Sequence, residues 1–171
     1  IGIGQGYITS TPLQLAVSLS AIANRGIIYK PTLVTQDLGQ ESSQKILASI
    51  KIQDQTHWEV IEQAMISVIN SWNGTAHNLY KEGGTIIAGK TGTAQIRSLV
   101  DQELTVSEEY EGVRLNIEDR DHALFASYGP VPDPNLVVVV IVENGESGSA
   151  VAAPIAQKLI EEYQNNMDYE Q

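Results

Sequence analysis

Gly83-Gly84-Thr85-Ile86-Ile87-Ala88-Gly89-Lys90-Thr91-Gly92-Thr93-Ala94-Gln95 is a short apolar run that opens into Lys-Thr-Gly-Thr. Two chemistries can be read into it. Residues 84–91 match the phosphate-loop pattern G-x-x-x-x-G-K-[ST] letter for letter, in which backbone N–H groups wrap phosphates and the lysine reaches the outer ones. Alternatively, Lys-Thr-Gly stands on a β-strand that lines a cleft. A phosphate loop needs a strand before its first glycine and a helix running on from the Lys-Thr pair. Here Ile86 and Ile87 are stiff β-branched residues that suit a pleated strand. Gly92, two residues after Lys90, would cost the first turn of a helix about 1 kcal/mol relative to alanine. The pattern therefore puts Lys90 on a strand. Residues 136–143, LVVVVIVE, could pass for the strand and carboxylate that hold Mg²⁺ beside a phosphate loop, but any buried strand ending at a turn looks the same.

The composition bounds what such a strand can serve. A chain of 171 residues with 42% hydrophobic content can bury one real core. Its formal charge of −11, with only ten Lys and Arg, argues against nucleic acid or an anionic membrane surface as a partner. Absent cysteines exclude a disulfide framework and a thiolate metal site, and leave the compartment open. No apolar run approaches the roughly 20 residues that span a bilayer. The opening Ile1-Gly2-Ile3-Gly4-Gln5-Gly6 lacks an initiator methionine and starts in mid-pattern, as expected of a piece of a longer chain.

Outward from the central stretch, the periodicities predict alternating helices and strands. Thr11-Pro12-Leu13-Gln14 is a helix start, with Thr11 as N-cap and Gln14 placed to close a capping box, and a helix over 12–24 stops at Gly26. Two short extended pieces around Pro31 follow, then a polar excursion over 35–56 whose apolar island at 46–52 reads as an edge strand. Thr56-His57-Trp58-Glu59 repeats the capping-box spacing. Trp58, Ile61, Met65, Val68, Ile69 and Trp72 then make the stripe of a second helix, with a short helical piece reaching Tyr80. Residues 97–122 are rich in charge and lack a period, so a long loop with the least regular structure is expected there. Residues 123–128 and 136–142 are predicted to pair antiparallel across Gly129-Pro130-Val131-Pro132-Asp133-Pro134-Asn135, and the run 137–142 reads as a central strand covered on both faces. A last helix over 150–163 is expected to pack Val151, Ile155, Leu159 and Ile160 on the sheet, on the same face as the first helix. The class is α+β, an antiparallel sheet formed by 86–96, 123–128 and 136–142 and flanked by helices.

Thr11-Pro12-Leu13-Gln14-Leu15-Ala16, Gly74-Thr75-Ala76, Ala88-Gly89-Lys90-Thr91-Gly92-Thr93-Ala94-Gln95 and Val142-Glu143-Asn144-Gly145 resemble, in order, the class B penicillin-binding proteins, most closely their elongation-type branch. The likeness runs end to end except over 35–55 and 97–120. It implies that residues 1–171 are the C-terminal portion of a transpeptidase domain of the serine β-lactamase/transpeptidase-like fold, with the serine nucleophile upstream and absent here. Ser42-Ser43-Gln44-Lys45 and Ser71-Trp72-Asn73 imitate the family's two serine motifs by letter. Both are rejected: residues 1–34 resemble family sequence that follows those motifs, the spacings are too short, and Ser71 closes a helix where Ser and Asn serve as caps.

The resemblance assigns roles by residue. Lys90 would supply a fixed positive charge to a ligand carboxylate and favour the proton arrangement of the serine network beside it. The hydroxyls of Thr91 and Thr93 resemble those that hydrogen-bond the same carboxylate. Gly92 would let the substrate backbone lie close, and the N–H of Thr93 resembles one oxyanion-hole donor. Without the other motifs these four residues read as an edge strand with a solvated lysine. His57, His77 and His122 lack ligand spacing, so no metal or cofactor is expected. The tryptophans, Tyr80 and Tyr128 read as core or rim packing.

The implied parent is a peptidoglycan D,D-transpeptidase acting through a serine acyl-enzyme. This chain alone is expected to be inactive. Implied partners are the peptidoglycan stem peptide, β-lactam antibiotics, the upstream part of the same protein and the cell-elongation machinery. The implied location is the periplasmic face of the bacterial inner membrane, on an N-terminal anchor. Two other classes stay open: a penicillin-recognising module that senses wall peptides without turnover, distinguished by the upstream serine and lysine, and a nucleotide enzyme, distinguished by Mg-ATP binding.

Overall fold

The computed structural model describes residues 9–33, 45–94 and 117–169. Helix α1, Pro12–Ala23, begins as its sequence dictates: Thr11 Oγ1 accepts from Gln14 N at 3.2 Å, and Gln14 Oε1 accepts from Thr11 N at 2.8 Å. Both halves of the capping box are made, so two of the orphan N–H groups at the helix start are satisfied. The helix ends through Arg25 and Gly26, both left-handed at φ 52 and 95. Gly26 is required twice over, because a Cβ there would also lie 2.9 Å from the Trp58 ring and 2.8 Å from Ile50 O.

Strand β1, Ile27–Tyr29, pairs antiparallel with β2, Ile46–Ser49, in a two-stranded sheet of its own. The apolar island is thus a strand, as expected, and all four of its residues are exposed. Helix α2, Thr56–Asn70, departs from its expected start. Thr56 is the first helical residue rather than the cap, and the carboxylate of Asp54 accepts from both Thr56 N at 2.9 Å and Thr56 Oγ1 at 2.7 Å. Those bonds hold the Asp54 carboxyl below its usual range, chiefly through the Thr56 hydroxyl.

The main sheet has the order β3-β4-β5, with β3 Ala88–Ala94, β4 His122–Gly129 and β5 Leu136–Val142, each pair antiparallel. Ile86 and Ile87 precede β3 rather than belong to it. Residues 95–116 lie outside the described residues, and with them most of the segment expected to be irregular. The phosphate-loop reading falls here, because Lys90 and Thr91 sit inside a strand, paired with Ala126 and Phe125, and not at a helix N-terminus. β4, not β5, is central among the described strands. The valine run of β5 reflects cover on both faces by helices, which an end strand can have as readily as a central one.

The first and last helices do not share a face. Leu19, Ile22 and Ala23 of α1 pack with Ala88, Ala126, Tyr128 and Val137. Helix α3, Ala153–Tyr169, and the π-helical turn Gly148–Ala152 before it pack against Ala123, Phe125, Val138 and Val140. Because side chains alternate along β4, Phe125 and Tyr128 point to opposite sides, and each large aromatic needs its own helix. Helix α2 lies beside β3 and serves both cores, with Met65 and Ile66 in one and Val68 and Ile69 in the other.

Two expected stripes are corrected in the same way. In the π turn and α3 the buried hydrophobic residues are Ala152, Ala153, Ala156 and Ile160, while Ile155 and Leu159 are about half exposed. The π turn carries a bond from Ala153 N to Gly148 O, five residues back, and this wider turn shifts the phase so that small alanines meet the sheet. In α2 Trp58 and Ile69 are buried, but Ile61 is exposed and Trp72, past the helix end, is 85% exposed. Trp72 is therefore not a packing residue among the described residues.

One buried cluster sits beneath α1 and α2. Arg25 pairs with the buried Glu62 at 3.0 Å. Burial, and then the negative charge of Glu62, push the Tyr128 phenol up to about 12, against a smaller opposing effect of Arg25. A raised pKa contributes stability that is fully present below the ordinary phenol value of about 10 and is lost as pH climbs from there through about 12. Absorbance titration should accordingly show one of the seven tyrosines ionising near 12, and Tyr128→Phe should remove that step. All seven titrating together near 10 would contradict the burial of this phenol.

A second expectation concerns Gly89. A Cβ at this position would come 2.5 Å from Cζ and 2.9 Å from Cε1 of Phe125, whose ring is wholly buried. Gly89→Ala should destabilise the fold by about 1–3 kcal/mol in urea denaturation, the usual cost of overpacking a close-packed contact. An unchanged midpoint would show that the ring can move aside.

Candidate active site

Strand β3 presents Lys90, Thr91, Gly92 and Thr93 one after another, so a single extended segment places all four expected site residues together. Ala88 and Gly89 anchor its start in the core, Lys90 is exposed, and the residues from Thr91 onward are partly buried. Among the described strands β3 pairs only with β4, so its other edge has no strand partner there, and α2 lies beside it. Lys90 Nζ donates to Thr91 O at 2.7 Å. Arg25, Lys81 and Arg120 are each paired with a carboxylate, whereas Lys90 has no such partner among the described residues.

The strand is supported from behind at two glycines. Phe125 fills the space a side chain on Gly89 would need. Gly148, at the start of the π turn, lies so close that a Cβ there would run into Leu124 O and come 2.8 Å from Gly92 O. The C-terminal turn therefore presses on the β3–β4 backbone at Gly92, the pair partner of Leu124.

Sideways support comes from the turn after α2. Gly74 is wedged against the helix end, where a Cβ would strike the carbonyls of Ser67 and Val68. Ala76 N donates to Val68 O at 2.9 Å, and His77 Nδ1 lies 3.0 Å from Ile69 O. Carbonyls that the helix leaves free at its C-terminus are thus taken up by this turn and the 3₁₀ helix His77–Leu79. The turn holds Thr75 with its hydroxyl 3.2 Å from that of Thr91. Gly74-Thr75-Ala76 was legible as a motif, but nothing in the sequence tied Thr75 to Thr91, sixteen residues on.

Among the described residues neither Ser71 nor any histidine is hydrogen-bonded to Lys90 or Thr91. Ser71 is the C-cap of α2, its N–H donating to Ser67 O at 3.1 Å, and no hydrogen bond links it to Lys90. Ser42 lies outside the described residues, and Lys45 spends its carbonyl on Lys30 N at 2.8 Å. Glu143-Asn144-Gly145 is a structural turn: Asn144, left-handed at φ 56, donates from N to His122 Nδ1 at 3.0 Å and from Nδ2 to Arg120 O at 3.0 Å. His57 is an exposed residue of the first turn of α2, His77 stacks on Tyr80 at 5.5 Å, and His122 is tied to Asn144, so the three do not meet. Among the described residues no three His, Asp or Glu side chains gather as metal ligands.

Comparison with known proteins agrees with this geometry. The family model described as penicillin binding protein transpeptidase domain matches residues 1–161. A peptidoglycan D,D-transpeptidase MrdA from Haemophilus influenzae is 37% identical over 169 residues, which cover 96% of this chain and 25% of that protein. The chain thus spans about a quarter of the length of the curated relatives it matches. Among solved structures, penicillin-binding protein 2 (PBP2) of Pseudomonas aeruginosa in complex with WCK 5153 is 34% identical with a TM-score of 0.76, over 95% of this chain and 32% of that one. Penicillin-binding protein A of Mycobacterium tuberculosis, solved as a ceftriaxone acyl-enzyme complex, is 26% identical with a TM-score of 0.58, over 93% and 33% of the two chains. A Lys-Thr-Gly-Thr strand at the end of the described antiparallel sheet and a match over nearly the whole length lead to one assignment: the chain belongs to the penicillin-binding protein transpeptidase domain family.

Proposed function

We propose that this chain is the C-terminal portion of the transpeptidase domain of a peptidoglycan D,D-transpeptidase of the MrdA/PBP2 type, which cross-links stem peptides through a serine acyl-enzyme. The observation that carries the reading is the placement of Lys90, Thr91, Gly92 and Thr93 on one supported strand whose other edge has no strand partner among the described residues. An extended peptide or a β-lactam can lie along such an edge, with Gly92 allowing close approach. Lys90 then supplies charge to the ligand carboxylate, and the hydroxyls of Thr91 and Thr93 donate to it. The N–H of Thr93 is one donor to the oxyanion that forms when the serine attacks, and the serine's own N–H is the other. The nucleophile and the lysine beside it come from upstream sequence.

Likeness to the MrdA and PBP2 relatives supports the wider reading: stem peptides and β-lactams as ligands, the elongation machinery as partner, and action at the periplasmic face of the inner membrane. No helix among the described residues is long and apolar enough to cross a membrane, so the anchor is assigned to the upstream segment.

Mass spectrometry after incubation with a reactive penicillin tests the division of labour. This chain alone should form no adduct, and the longer protein that contains it should form one, on an upstream serine. Lys90→Ala in that protein should slow acylation by about 100-fold, the scale of losing one electrostatic stabiliser in an active site. A stoichiometric adduct on Ser42 or Ser71 of this chain would overturn the proposal. A longer protein that binds wall peptides but is never acylated would be a sensor and not an enzyme.

A further inference from the structure

Thr75 has no role in the function proposed above, yet its hydroxyl, carried by the turn after α2, lies 3.2 Å from Thr91 Oγ1. We propose that Thr75 is a positioning residue: it donates its proton to Thr91 Oγ1 and thereby leaves the Thr91 proton directed at the ligand carboxylate. The inference rests on the reading of Thr91 as a carboxylate-binding hydroxyl.

The direction of the bond follows from inventory. A hydroxyl has one proton and two acceptor sites, and an ionised carboxylate only accepts. If Thr91 gave its proton to Thr75, it could offer the ligand nothing but lone pairs, which a carboxylate repels. If Thr75 gives its proton to Thr91, the Thr91 proton is free for a charge-assisted bond, roughly twice as strong as a neutral one. Binding of an anion therefore selects the arrangement in which Thr75 is the donor.

Geometry explains why Thr75 can impose this. Gly74 is locked between the carbonyls of Ser67 and Val68, and Ala76 is wholly buried with its N–H bonded to Val68 O at 2.9 Å. His77, stacked on Tyr80, approaches Ile69 O at 3.0 Å. Both neighbours of Thr75 are thus tied to α2, and α2 packs along β3, so the spacing between the two hydroxyls is set by the core. Thr91 alone could turn about χ1 among staggered rotamers, and the bond from Thr75 holds one of them. Thr75 itself is exposed, so a change there removes the bond without opening a cavity.

The test uses the longer protein that contains this segment, with acylation rate constants for a penicillin and for the methyl ester of the same penicillin. Thr75→Val, which keeps the shape and removes the hydroxyl, should slow acylation by the penicillin by about 5- to 10-fold, the scale of one hydrogen bond. Thr75→Ser should restore the rate. The ester, which has no anion for Thr91 to meet, should show no difference between wild type and Thr75→Val. Thr75→Val combined with Thr91→Val should be no slower than Thr91→Val alone, because the first residue acts only through the second. Wild-type rates in Thr75→Val, an equal loss with the ester, or losses that multiply in the double variant would each overturn the proposal. Thr75→Ala, expected to behave as Thr75→Val does, gives the same reading if valine disturbs folding. A wild-type protein that no penicillin acylates would remove the functional reading itself, and this inference with it.

Discussion

The contact between the Phe125 ring and the bare α-carbon of Gly89 sets where Lys90 stands. β3 is an end strand among those described, held on one side by β4, and such a strand can twist or slide unless something fixes it. Phe125 pairs with Thr91 in register and turns its ring over Gly89 on the same face, so a shift of one residue would drive the ring into a side chain. Gly148 applies the same constraint three residue pairs along, where the C-terminal turn meets Leu124 O and the Gly92 backbone. Between those two supports lie Lys90 and Thr91. Glycines that look like loop residues in the sequence are here the points at which the core grips the candidate strand.

That grip depends on helices on opposite faces. A strand such as β4, with Phe125 on one side and Tyr128 on the other, cannot be stabilised from one side alone. Helix α3 and the π turn before it reach the Phe125 face through Ala152, Ala153 and Ala156, whose small side chains let that turn come near enough to touch β3. On the Tyr128 face α1 and α2 enclose the phenol, and Arg25 and Glu62 close the cluster. Glu62 is buried but Arg25 is exposed, and solvent screening on that side together with desolvation of the carboxylate leaves the pair a modest contributor to stability. Its clearer effect is geometric, because Arg25 belongs to the left-handed turn that ends α1, and its bond to Glu62 ties that turn to α2.

Much of this was legible in the sequence because local chemistry determined it. The Thr11 to Gln14 capping box, the Gly26 stop, the strand character of Lys90, the span of β5 and the antiparallel pair across 129–135 follow from propensity and turn residues alone. What could not be read was phase and distance. The π turn rotated α3, so alanines and not Ile155 and Leu159 face the sheet. Asp54, outside the capping-box spacing, took the work expected of Thr56. The side of the sheet on which a helix lies is invisible to its own periodicity, which is why α1 and α3 were expected together. The four candidate residues of the strand were picked out by order and motif, whereas Thr75 and Gly148 meet the strand through contacts across the fold that no local pattern encodes.

Charge adds a further constraint on how such a site can work. With a formal charge of −11, the chain as a whole repels an anionic ligand. At physiological ionic strength, however, that field is screened beyond a Debye length of about 8 Å, so what counts is the neighbourhood of β3. There, among the described residues, Lys90 lacks the carboxylate partner that Arg25, Lys81 and Arg120 each have, and its ammonium rests on the neutral carbonyl of Thr91. An arriving carboxylate has to displace only a dipole and not a bound anion, so little is lost when the ligand takes the place of Thr91 O. Recognition is then a matter of short-range donors held at set spacing, and the supports at Gly89, Gly148 and the 74–76 turn matter more to it than the overall sign of the protein's charge.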